Sequence, residues 1–156
     1  MALQVRIQIY LSTIIQTVYH NVEAWSKITN KEVERLEMIQ RDILTSILEV
    51  LKSTPYLGVL SELGVWPFEQ LYEYKKIMLF HQIITSRGTR FLKEIIDDQV
   101  EDTWPGCWTE GAAEICQKYN LTIVLMKCLK KEKLKSILKR RINSRLDLRI
   151  LTESKN

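Results

Sequence analysis

A helix start signal followed by a long apolar repeat is the feature that most constrains this chain. Thr29 and Glu32 have the spacing of a capping box, in which the threonine accepts the Glu32 amide and the glutamate reaches back to the first turn. Apolar residues then recur every three or four positions: Val33, Leu36, Ile39, Ile43, Ile47 and Val50. This spacing predicts a long amphipathic helix over residues 30–51, with those side chains facing a core.

Turn-forming residues are scarce in the rest of the chain. The sequence has 5 Gly and 3 Pro in 156 residues, well below the roughly 12% of an average protein, and this leaves little room for the hairpins of a sandwich or barrel. Thr54 and Pro55 are typical of a helix start, Gly64 of a helix end, and Pro67 of the next start. Other helices are predicted over residues 2–25, 67–86, 89–100, 110–119 (capped by Thr109) and 129–149. Residues 121–126 fit either a helix or a strand, and the prediction is an all-α fold of six or seven helices.

The basic charge is concentrated near the C-terminus. The whole chain has a formal net charge of +4. Residues 127–149 hold 10 Lys/Arg and 2 Asp/Glu, whereas residues 1–126 carry a net charge of −4. We expect a helical domain over residues 1–126, a basic amphipathic helix over 127–149 and a flexible tail over 150–156. Such concentrated positive charge indicates a polyanionic partner, either nucleic acid or a membrane surface.

Within this segment the cations recur at helical spacing. An apolar stripe of the same period would dock the helix on the domain: Leu134, Ile137, Leu138, Ile142 and Leu146. The predicted nucleic-acid contacts are Lys127, Lys131, Lys135, Lys139, Arg140, Arg141 and Arg145. The alternatives are a merely solvated basic face, or a surface for an acidic protein or an anionic membrane.

Signals of catalysis or metal binding are weak. The sequence has no Gly-rich phosphate loop and no G-x-S-x-G or H-E-x-x-H motif. Asp97 and Asp98 are adjacent on a predicted helix and diverge by about 100°, so a shared metal is not expected. Cys107, Cys116 and Cys128 lack short metal-binding spacing and are expected to be free thiols in a reducing compartment. We therefore expect no cofactor, no metal and no small-molecule substrate.

Targeting signals are also weak. The N-terminal stretch lacks the features of a signal peptide, and no apolar run is long enough for a membrane span. We expect an intracellular protein, in the nucleus or cytoplasm, that is not secreted.

The middle of the chain resembles a known family. Four segments follow one another in order: Leu36-Glu37-Met38-Ile39-Gln40, Ser53-Thr54-Pro55, Glu62-Leu63-Gly64 and His81. Together they are similar to the region just after the polymerase palm in the reverse transcriptases of non-LTR (LINE-type) retrotransposons. Trp108 and the Lys-rich helix resemble the continuation in those elements, so that the resemblance covers roughly residues 20–145.

The resemblance implies a thumb-like helical bundle that contacts a template–primer. Members of the family polymerise DNA on an RNA template, with magnesium held by palm aspartates in an aromatic-x-Asp-Asp hairpin. This sequence has no such hairpin, and Asp97 and Asp98 follow the thumb-like region whereas the catalytic pair of the family precedes it. The expectation is a non-catalytic thumb and connector piece that binds RNA or an RNA–DNA duplex. The alternative is a part of an RNA-directed DNA polymerase whose palm is missing from this chain.

Overall fold

A computed structural model describes residues 2–51, 53–86, 90–101 and 105–153. These ranges form eight helices and contain no strand, which confirms the all-α prediction. One helix more than expected is present because the ambiguous stretch near residue 123 is helical. Helix α1 consists of Leu3–Ile9, a π-helical turn Tyr10–Ile14 and Ile15–Val18; the others are α2 Asn30–Leu48, α3 Tyr56–Leu63, α4 Phe68–Thr85, α5 Arg90–Glu101, α6 Trp108–Lys118, α7 Ile123–Cys128 and α8 Lys131–Glu153. Within the described ranges, none of the helices combines the length and apolarity needed to cross a bilayer.

Most of the predicted helix boundaries are found, with local corrections. The Glu32 amide donates to Thr29 Oγ1 at 3.3 Å and the Thr29 amide donates to Glu32 Oε2 at 2.7 Å, which confirms the capping box. Helix α2 is shorter than predicted, since Glu49 adopts a left-handed conformation with φ 58° and ends it.

The two prolines mark helix starts, but two of the predicted caps are wrong. Pro55 and Pro67 directly precede α3 and α4. Thr54 is not a cap, because Pro55 occupies that position and no side-chain bond is made there. Thr109 is buried inside α6, which Cys107 caps by accepting the Glu110 amide on Sγ at 3.3 Å.

The chain divides into two compact units. The first comprises the residues up to Val22 together with Ile28–Leu71, and the second comprises Glu23–Lys27 and everything from Tyr72 onward. This division differs from the predicted boundary at residue 127, since the basic helix belongs to the second unit with residues 72–126. Helix α8 continues to Glu153, so that residues 150–153 are helical where a flexible tail was predicted. Residues 154–156 of that tail lie outside the described residues.

A buried glutamine organises the first unit. The Gln40 side chain is fully buried; its amide donates to the Trp66 carbonyl at 2.9 Å and its carbonyl accepts from the Tyr56 hydroxyl at 2.6 Å. These bonds turn the Gln40 and Leu44 side of α2 toward the core. Ile39, predicted to face inward, is therefore 46% exposed. The side of α2 that faces the core therefore differs from the predicted apolar stripe. Gln40 can occupy a core position because both polar groups of its side chain are hydrogen-bonded.

A buried lysine organises the second unit. The Lys76 side chain on α4 is fully buried, and its ammonium donates to the Trp25 carbonyl at 2.7 Å, to the Ser26 carbonyl and to the Tyr72 hydroxyl at 3.0 Å. The same ammonium lies 5.4 Å from the centre of the Trp108 ring. Three hydrogen bonds and an aromatic face replace the hydration that the ammonium loses on burial.

Gly111 on α6 makes this arrangement possible. A Cβ atom at position 111 would lie 2.5 Å from the Ser26 carbonyl oxygen and 3.0 Å from Lys76 Nζ. The glycine therefore admits both groups against the backbone of α6. Nearby, the Trp108 indole donates to the Glu23 carbonyl at 2.8 Å. Together these contacts attach residues 23–27 to α4 and α6.

The buried lysine predicts how stability depends on pH. Burial lowers the pKa of Lys76 from 10.5 to about 8, against the opposing effects of Glu114 and Cys107. Between about pH 8 and 9 the unfolded chain keeps a proton that the folded chain has lost, so the free energy of unfolding should rise, by at most about 1.4 kcal/mol per pH unit. Above pH 9 the Cys116 thiol, whose pKa burial raises to about 12, acts in the opposite direction.

Urea unfolding at several pH values from about 7.5 to 9 measures this rise. The exposed control variant Lys31→Met should keep it. Lys76→Met should lose it, and should cost about 1–3 kcal/mol for each carbonyl that it leaves without a donor. A wild-type stability that is flat or falls over this range contradicts the prediction.

Candidate nucleic-acid interface

Helix α8 is docked on the second unit by its apolar stripe. Leu134, Leu138 and Ile142 are fully buried, while Ile137 and Leu146 are half-buried at the edges of the stripe. The three buried residues are spaced by four and therefore lie along one side of the helix. The sequence predicted this side correctly, and the opposite side of α8 faces solvent.

Two arginines fix α8 against the C-terminal end of α6. The Arg141 guanidinium donates to the Tyr119 carbonyl at 2.6 Å and to the Asn120 carbonyl at 3.2 Å. Arg145 donates to the Lys118 carbonyl and lies 5.5 Å from the centre of the Tyr119 ring. The last carbonyls of a helix have no intrahelical donor and carry partial negative charge, so cations are favourable there. Both arginines were predicted to contact nucleic acid, whereas in the structure both donate to backbone carbonyls of the protein itself.

Buried polar groups of α4 hold the elements on which α8 rests. The buried Glu73 carboxylate accepts from Lys118 Nζ at 2.6 Å and from the Tyr119 hydroxyl at 2.5 Å. The buried His81 ring places Nε2 at 2.9 Å from the Leu129 carbonyl, just before α8 begins. Because a carbonyl only accepts hydrogen bonds, Nε2 carries the proton. Helix α4 thus positions α8 at its beginning and, through α6, in its middle.

Four of the five remaining predicted contacts belong to a solvent-facing basic surface. Lys127, Lys131, Lys139 and Arg140 are exposed, and Lys135 is half-buried. None of these five side chains forms an ion pair with a carboxylate of the described residues. Their charges are therefore open to a ligand.

Two exposed lysines of the same surface escaped the sequence prediction. Lys130 and Lys133 are both exposed and likewise lack an ion pair within the described part of the chain. Lys133 precedes Arg140 by seven residues, which is about two turns and places both on one face of α8. The seven-residue spacing could have identified Lys133 from the sequence. The prediction instead followed the lysines that recur every four residues, from Lys127 to Lys139. We define the basic surface by its exposed, unpaired cations: Lys127, Lys130, Lys131, Lys133, Lys139 and Arg140.

Other candidate groups do not assemble into a site. Asp97 and Asp98 are exposed on α5, Cys107 and Cys116 are buried, and Cys128 is exposed. Across residues 2–51, 53–86, 90–101 and 105–153, no group of three or more His, Cys, Asp or Glu side chains is placed to hold a metal ion. No family model, curated protein or solved structure matches this chain. The features that bear on function are therefore the basic surface and the sequence pattern of residues 20–145.

The engaged and free cations of α8 should differ in their effect on stability. Arg141→Ala removes the donor to two helix-terminal carbonyls and should lower the free energy of unfolding by about 1–3 kcal/mol. Lys139→Ala removes an exposed cation two residues away on the same helix and should change it by less than about 0.5 kcal/mol. Urea unfolding of the two variants measures the difference. Equal losses would show that Arg141 does not anchor α8.

Proposed function

We propose that the basic surface binds the phosphate backbone of nucleic acid, and that the chain is a non-catalytic binding module. The observation that carries this proposal is a cluster of exposed cations in residues 127–140 without acidic partners in the described residues. Three of them, Lys133, Lys139 and Arg140, lie on the side of α8 that faces away from its buried stripe. The expected ligand is RNA or an RNA–DNA duplex, in line with the resemblance of residues 20–145 to the thumb and connector of retrotransposon reverse transcriptases.

The physics of the basic surface favours a polyphosphate. On α8 the half-buried Lys135 lies four residues from both Lys131 and Lys139. Like charges at this spacing repel each other by a few tenths of a kcal/mol per pair, and a bound phosphate backbone relieves this repulsion. Neutralised phosphates release condensed counterions, which supplies the main free energy of non-specific binding. Helix α8 has 23 residues and is therefore about 34 Å long. Its cations of the basic surface lie between Lys131 and Arg140, which is about 14 Å of helix. A duplex carries one phosphate charge per about 1.7 Å of its axis, so these cations can reach several phosphates at once.

A second candidate function is binding to an anionic membrane surface. It is supported by Leu148 and Leu151 near the end of α8, which are 63% and 57% exposed. Apolar side chains beside basic ones are typical of helices that lie in the headgroup region. Binding to vesicles that contain phosphatidylserine separates the two functions. Membrane binding requires both the cations and the two leucines, whereas nucleic-acid binding requires only the cations.

Titration over a range of salt concentrations tests the proposed function. The variant Lys133→Ala/Lys139→Ala/Arg140→Ala should bind a short RNA–DNA duplex more weakly for every sequence, since phosphate contacts carry no sequence information. On duplex DNA, each lost phosphate contact should reduce the slope of log K against log salt by about 0.9.

The control variant Lys31→Ala/Arg35→Ala/Arg90→Ala removes the same charge from α2 and α5 and should keep the wild-type slope. If the two triple variants lower the slope equally, binding follows net charge and the basic surface is not the site. Binding to the vesicles that Leu148→Ser/Leu151→Ser abolishes, without binding to either duplex, would favour the membrane function.

A further inference from the structure

A pocket lies between the end of α6 and the start of α7, within the second unit. Its volume is about 450 Å³, within the range of roughly 300–1,000 Å³ that is typical of small-ligand sites. The buried side chains of Phe80, Cys116 and Leu121 form its inner wall. The exposed Gln117 and Asn120 line its mouth. An apolar interior with amides at the rim suits a flat, heteroaromatic ligand that needs both burial and hydrogen bonds at its edge.

The position of this pocket connects it to the basic surface. Ile123 lines the pocket on α7, and Lys127 lies four residues later, so that both are on the same side of that short helix. Arg141 of α8 donates to the carbonyl of Asn120, a residue of the pocket mouth. A nucleic acid whose phosphates contact Lys127 and α8 therefore passes beside the opening.

We propose that this pocket, named here the base pocket, receives an unstacked nucleobase of single-stranded nucleic acid. Bases of a single strand are free to leave the stack, to be buried against apolar and aromatic side chains, and to hydrogen-bond through their edges. The inference rests on the proposed function, which supplies the phosphate contacts, and deepens it by adding an unpaired, single-stranded segment to the expected nucleic-acid ligand.

A second pocket in the same unit provides the comparison. It has a volume of about 380 Å³ and is lined by Ala24 and by apolar residues of α4, α5 and α6, together with the amides of Gln82 and Gln99. Helix α5 beside it carries four carboxylates and two cations, so a phosphate backbone is repelled there. This pocket has a similar size but lacks the cationic approach of the base pocket, and it serves as the matched site for a control variant.

Three probes of equal length separate phosphate binding from base binding. They are an oligothymidylate of about 12 nucleotides, the corresponding chain of abasic sites, and a duplex of that length. The wild-type protein should bind the oligothymidylate about tenfold more tightly than the abasic chain, since the two carry the same charge and differ only in their bases. Ala113→Leu places a larger side chain at the exposed rim of the base pocket and should abolish this ratio. Its affinity for the duplex and the salt dependence should not change.

The control variant Gln82→Leu adds apolar bulk at the second pocket and should keep the tenfold ratio. Equal binding of the oligothymidylate and the abasic chain by the wild-type protein overturns the base pocket and leaves the proposed function intact. Absence of salt-dependent binding to all three probes overturns both. If folded Ala113→Leu still binds the oligothymidylate about tenfold more tightly than the abasic chain, the base binds elsewhere and the inference is overturned.

If Ala113→Leu lowers the melting temperature sharply, Gln117→Ala replaces it as the test variant. An unchanged tenfold ratio in Gln117→Ala also overturns the inference.

Discussion

Burial of the Lys76 ammonium is the constraint on which the second unit depends. A buried ammonium needs hydrogen-bond acceptors in place of water, and two of its acceptors here are the carbonyl oxygens of Trp25 and Ser26. These carbonyls belong to a five-residue segment, Glu23–Lys27, which joins the second unit although the residues on both sides of it belong to the first. The approach of Ser26 also requires a residue without a side chain at Gly111. One buried charge thus determines the course of the backbone at two distant places in the sequence.

The same helix carries the other buried polar groups that place the basic surface. Glu73 precedes Lys76 by almost one turn and holds the end of α6, while His81 follows by five residues and holds the carbonyl of Leu129. Removal of one partner from such a buried pair leaves an unsatisfied group and costs more than the pair contributes when intact. The orientation of α8 is therefore fixed by polar contacts of α4 as well as by its own apolar stripe.

Local signals in the sequence predicted the helices well, and the interior polar groups less well. The capping box at Thr29 and the two prolines depend only on neighbouring residues, and the structure agrees with them. The inward side of α2 was displaced because Gln40 is a core residue. A sequence shows that a residue is polar, but not that a carbonyl and a hydroxyl from other segments will satisfy it. For the same reason neither the burial of Lys76 nor that of Glu73 could be predicted from residue type, since such residues are almost never fully buried.

The cations of α8 also show that the sequence predicts helical spacing better than it predicts the partners of individual polar side chains. Sequence spacing grouped Arg141 and Arg145 with the lysines, yet the two arginines bind helix-terminal carbonyls and the exposed lysines bind no carboxylate of the described residues. Position on the helix comes first, because Arg140 faces solvent although it is an arginine, and Lys76 of α4 holds two backbone carbonyls although it is a lysine. On α8 the chemistry of the side chains favours the same division. The planar guanidinium has several donors in a fixed geometry and is weakly hydrated, so it suits permanent contacts with backbone oxygens. The ammonium of lysine is a compact, strongly hydrated charge on a flexible stem, suited to phosphates that exchange along a polymer. Part of the positive charge of α8 therefore maintains its position, and the remainder is available to a ligand.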